Sequence, residues 1–109
     1  MSILYTWHKI EAPLPAQLMN EKMQEVLVGE KRVGLLMKNN AVFAFSATCP
    51  HTSAPLCDGW LDAQGRIVCP LHKYRFDPQN GRNTSGEGYK LRTYPVEIRD
   101  GYIYVGLQN

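Results

Sequence analysis

A chain of 109 residues, 44% hydrophobic and 20% charged, can close one modest core and leaves no room for separate substrate and cofactor lobes. Twelve basic against ten acidic side chains give a formal charge of +2 with no runs of one sign, which argues against a polybasic nucleic-acid or membrane-surface binder. No stretch reaches the roughly 18 to 20 apolar residues that cross a bilayer, and MSILYTWHKIEAPLPAQ lacks a basic region followed by an apolar run, so a soluble, cytoplasmic protein is expected.

In chain order, ILYTWHKI sets Ile3, Tyr5 and Trp7 on one face and predicts a half-buried strand. EAPLPAQ interrupts it, because two prolines remove ladder donors. PAQLMNEKMQEVL is the one weak helical candidate. QEVLVG, KRVGLLMK and AVFAFSA are short apolar runs separated by Gly29-Glu30 and Asn39-Asn40, which predicts a meander. Near the end, Asp100-Gly101 between Val96, Ile98 and Tyr102, Tyr104 is a strong hairpin signal. No repeat, linker or low-complexity tract appears. The expected fold is all-β, one domain over 1–109, with a loop-built region at about 48–86 set into a strand scaffold.

That middle region carries the chemistry. Cys49 and His51 stand one residue apart, Cys69 and His72 two apart, so each pair can reach one centre from one tight loop. Three cysteines without an export signal argue against a disulfide framework and for metal ligation with one thiol over. Tetrahedral zinc accepts the same four atoms, but zinc-finger spacing groups cysteines with cysteines and histidines with histidines. Here each loop supplies one of each, as a [2Fe–2S] cluster with two thiolates on one iron and two imidazoles on the other requires.

At this point the sequence resembles the Rieske family, whose cluster signature is CPH followed by CPLH, and APLCDGWLD, GRIVCPLHKYRFDPQNGRN and LRTYPVEIRDGYIYV resemble its soluble ferredoxins. The resemblance implies a base of two antiparallel sheets, as sandwich or barrel, with a smaller cluster-binding subdomain. It implies one [2Fe–2S] cluster per chain, Cys49 and Cys69 on the buried iron, and His51 and His72 on the outer one. It implies a one-electron carrier rather than an enzyme, a monomer taking electrons from a flavin- or iron–sulfur-containing reductase and passing them to a terminal oxygenase or another oxidoreductase. An alternative is the small subunit of a nitrite-reductase-type assembly, which the WHKI start also resembles.

Three departures stand out. Respiratory Rieske proteins clamp the ligand loops with a disulfide; here Leu71 occupies one of those positions, and Cys57 lies too far along to be the other. Relatives often cover the cluster with a proline-bearing loop, where this chain has GRNTSGEGY. High-potential relatives carry a serine two residues after the second histidine and a tyrosine four after it. Tyr74 and Phe76 stand there instead, which implies a low potential, with the Tyr74 ring expected to point away as packing. Cys57 reads as a small apolar residue, His8 as an ordinary strand residue, and Lys73 as a residue bordering the outer iron.

Overall fold

A computed structural model describes residues 4–18, 22–52 and 54–108. The strands run β1 (Tyr5–Ile10), β2 (Met23–Val28), β3 (Lys31–Lys38), β4 (Ala41–Ser46), β5 (Trp60–Leu61), β6 (Ile67–Val68), β7 (Arg75–Phe76), β8 (Thr93–Tyr94), β9 (Val96–Arg99) and β10 (Tyr102–Gln108). They form three antiparallel sheets, ordered β1-β10-β9, β2-β3-β4-β8 and β5-β6-β7. The all-β expectation holds.

Turn chemistry sets the registers. Asn39 and Asn40 both take positive φ, 52° and 63°, as do Asp100 and Gly101 at 51° and 80°, the mirror-image turns that match strand twist in two-residue hairpins. Pro95 alone separates β8 from β9 and carries the chain from one sheet to another. The helical candidate at 15–27 does not form over the described residues: a single 3-10 turn covers Pro15–Gln17, and from Met23 the chain pairs with β3. Six ladder positions against β3 outweigh a weak propensity.

Tyr5 and Trp7 do share one face of the half-buried strand β1, and the pairing shows where that face points. Lys9 pairs with Tyr104 while Ile10 pairs with the buried Ile103, so Tyr5, Trp7 and Lys9 share the outer face and Ile10 the core; Ile3 lies outside the described residues. The Arg99 guanidinium covers the outer rings, 5.3 Å from Trp7 and 4.9 Å from Tyr104.

The four-stranded sheet serves two cores because side chains alternate across it. Val33, Leu35 and Ala44 join Ile10, Ile103 and Val105 in the first. Leu36 and Phe45 point to the opposite face and join Leu56, Ile67, Phe76 and Leu91, together with Cys49 and Cys69. Burying each large apolar side chain contributes about 1.5–3 kcal/mol, so this second core anchors the small β5-β6-β7 sheet. Within that sheet Gly59 lets the chain entering β5 pass close to β6: a Cβ there would run into the Val68 carbonyl oxygen.

Candidate metal centre

Two loops with the same closure meet above the second core. The Cys49 amide donates to the Ala54 carbonyl at 2.9 Å, and the Cys69 amide to the Tyr74 carbonyl at 2.8 Å. Each loop thus begins at its cysteine and closes five positions on, 49 to 54 and 69 to 74, presenting its histidine on the way. In the second loop His72 and Lys73 take positive φ, 69° and 62°, a conformation that costs a non-glycine residue energy and recurs at functional sites. Asp62 orders the turn between β5 and β6 and reaches β7. Its carboxylate accepts from the Gln64 and Arg66 amides, both at 2.9 Å, and lies 3.5 Å from the Arg75 guanidinium on β7.

The four candidate side chains come together as a sulfur pair and a nitrogen pair. Cys49 and Cys69 are both buried, 4% and 0% exposed, and share the second core. Burial pushes the Cys69 thiol above its ordinary value; a backbone hydrogen bond at Leu71 opposes this, and neighbouring Cys49 adds to it. Two thiols in such a place become thiolates only beside strong positive charge, which a metal supplies. His51 Nε2 lies 3.2 Å from His72 Nδ1. His51 Nδ1 is buried and has no hydrogen-bond partner, an omission that costs energy unless something else binds that nitrogen. Donor chemistry and orphaned nitrogen both fit a cluster held by two sulfurs and two imidazoles. Among the described residues, no three His, Cys, Asp or Glu side chains are grouped closely enough to hold one metal ion.

The two imidazoles differ in setting. The Tyr74 ring lies 4.1 Å from His51, centroid to centroid, and Tyr89 approaches it edge-on at 5.6 Å. Tyr74 therefore does not turn away; it covers His51. His72 is exposed, beside the exposed Leu71 and Lys73. Phe76 is fully buried in the core with both cysteines.

Sequence reasoning missed Tyr89 and Glu87. Both sit in the segment after β7, which winds around one side chain: the Asn83 amide donates to Glu87 Oε1 at 2.9 Å, to Ser85 Oγ at 3.3 Å and to the Arg75 carbonyl at 3.2 Å. Asn83 Oδ1 accepts from the Glu87 and Gly88 amides, and Ser85 Oγ donates to Glu87 Oε1. Hydrogen bonds from Ser85 and Asn83 hold the Glu87 carboxyl below the usual range, with His51 a weaker contributor. Desolvation, then the Glu87 charge, pushes the Tyr74 hydroxyl up. The asparagine–serine–glutamate spacing in NTSGE was the available signal, but which histidine the loop would reach was not. Cys57 lies apart in the 3-10 turn Leu56–Asp58, half-buried, its thiol pushed up to about 11 by burial and by the charges of Glu25 and Asp58.

The chain is similar to known proteins over most of its length. Residues 7–95 match the family model of the Rieske [2Fe-2S] domain. The chain is 30% identical over 99 residues to the ferredoxin component of the naphthalene 1,2-dioxygenase system of Pseudomonas putida, covering 90% of this chain and 94% of that one. It is similar to the solved ferredoxin of carbazole 1,9a-dioxygenase from Nocardioides aromaticivorans, with a TM-score of 0.82 at 28% identity, over 90% of this chain and 96% of that one. It is also 29% identical over 85 residues to the nitrite reductase [NAD(P)H] large subunit of Klebsiella oxytoca, covering 74% of this chain but 9% of that one.

Proposed function

Because this chain belongs to the Rieske [2Fe–2S] family, we propose that it carries single electrons from a reductase to a terminal oxygenase, with Cys49 and Cys69 holding one iron and His51 and His72 the other. The observation that carries the reading is the sorting of donors: two buried sulfurs, then two imidazoles of which one has a buried nitrogen without a partner. A cluster so held supplies a one-electron couple at about −150 to +300 mV, against about −400 mV for four thiolates. The chain's own residues do the rest. The second core excludes water from the cysteines, and Tyr74 and Tyr89 screen His51. His72 and Leu71 form the exposed edge against which a partner can close. Contacts between electron carriers are typically small, under about 1,200 Å², which suits a monomer meeting two partners in turn in the cytoplasm. A reductase bearing flavin or an iron–sulfur centre is the matching donor, since a one-electron acceptor requires a donor that releases electrons singly.

The test is spectroscopic. Freshly purified protein should be red-brown, contain two irons per chain, and give a rhombic electron paramagnetic resonance signal on reduction. A colourless, zinc-loaded protein would refute the reading. A second reading, a Rieske subunit or module of a nitrite-reductase-type oxidoreductase, is favoured by the similarity to part of the nitrite reductase large subunit. Stable co-elution with a much larger partner from native extract would select it over the free carrier.

A further inference from the structure

We propose that Glu87 is a fixed anion that sets the reduction potential, clamped by the Asn83–Ser85 network in the segment that brings Tyr89 against His51, and holding the potential down. The inference rests on the ligand assignment above. The segment 82–90 has no sheet to order it, since its described bridges are only Phe76 to Asn83 and Arg82 to Lys90. What orders it converges on one carboxylate. Asn83 spends its whole side chain on the loop, both amide donors and the carbonyl oxygen, and Ser85 adds a hydroxyl while itself accepting from the Arg75 amide at 3.0 Å. Arg75 begins the strand just after the His72 loop, so the clamp ties Glu87 to the ligand loop through its backbone.

The flanking glycines have the same purpose. Gly86 and Gly88 take φ of +90° and +86°, yet a Cβ at either would meet nothing within 4 Å. They are not there for close approach. Their backbone conformation sets the solvent-exposed Glu87 between them, within reach of Asn83 and Ser85, and the residue two further on, Tyr89, lies against both His51 and Tyr74. No lysine or arginine pairs with Glu87 among the described ion pairs, in contrast to Glu97, which Arg99 meets at 3.0 Å. A carboxylate kept unpaired and immobile disfavours every added negative charge nearby, and an incoming electron is such a charge. It disfavours the reduced state more than the oxidised one, so it lowers the potential.

The experiment is voltammetry of the holoprotein at one pH and ionic strength, comparing wild type with Glu87→Asp, Glu87→Gln and Glu87→Lys, and with Glu97→Gln as a distant control. Visible circular dichroism and the reduced-state paramagnetic signal report an intact cluster. The potential should rise in the order Glu87→Asp, Glu87→Gln, Glu87→Lys, with Asp near wild type and the control unmoved. An intact cluster with an unchanged or lower potential in Glu87→Gln overturns the inference. So does an equal rise in all three Glu87 variants, which would report a loosened loop instead of a charge. Should Glu87→Gln fail to hold the cluster, the Asp and Lys variants decide by the same ordering. A wild-type protein without the cluster signature refutes the ligand assignment instead, so the two failures are told apart.

Discussion

Phe76→Tyr should raise the reduction potential, and the structure explains both the direction and the risk. Phe76 is fully buried in the same core as Cys49 and Cys69, at the position where high-potential relatives place a tyrosine. A hydroxyl added there can donate to a cysteine sulfur. Such a bond strengthens as the cluster gains negative charge, by about 1–3 kcal/mol for a charge-assisted donor, which corresponds to about 40–130 mV for a one-electron couple. Without that donor the wild type should lie near the bottom of the family range, about −150 mV. The opposing effect is burial of a polar group: a hydroxyl that finds no acceptor costs about 1–3 kcal/mol, or about 4–8 °C of melting temperature per kcal/mol in a domain of this size. Protein-film voltammetry and a thermal melt of the same two proteins separate the cases. A rise of 40 mV or more with little loss of stability is the expected result. A wild-type value well above zero, or a destabilised variant with an intact cluster and an unmoved potential, would refute the reasoning.

Cys57→Ser should keep the colour and the paramagnetic signal while Cys49→Ser and Cys69→Ser lose them, because only Cys57 lies outside the two loops; absorbance with iron analysis checks this. The thiolate of Cys57 is disfavoured by burial and by Glu25 and Asp58, which pushes its pKa up to about 11. Alkylation of the native protein by iodoacetamide should therefore be slow at pH 8 and accelerate only as the pH rises towards that value, with a pH-independent rate in mass spectrometry contradicting it. Gly59→Ala should destabilise the protein by about 1–3 kcal/mol in chemical denaturation, since the new Cβ meets the Val68 carbonyl oxygen. Arg99→Ala should cost only about 0.5–1 kcal/mol, the value of an exposed cation–π contact, because the rings it covers stay packed on their sheet.

What could be read in the sequence was whatever one residue, or one short spacing, dictates alone. Asn39-Asn40 and Asp100-Gly101 adopt the positive φ that their side chains tolerate, so both hairpins were legible. The two Cys-and-His loops were legible for the same reason, since each is a local object closed by one hydrogen bond from its own cysteine amide. Features decided by a partner strand were not. The sequence put Tyr5 and Trp7 on one face of a half-buried strand, but only the pairing of Ile10 with Ile103 fixed which side of β1 faces inward, and a one-residue change of parity exchanges the two faces. The run at 15–27 looked weakly helical because periodicity cannot register the ladder that β3 offers from Met23 onward. The screen over His51 is the extreme case: Tyr74 and Tyr89 are 15 positions apart and converge only because the Asn83 network folds the intervening segment back on itself. The same spatial logic separates the histidines. Position in the chain makes His51 and His72 equivalent members of two similar loops; only the tertiary closure covers one and leaves the other at the surface.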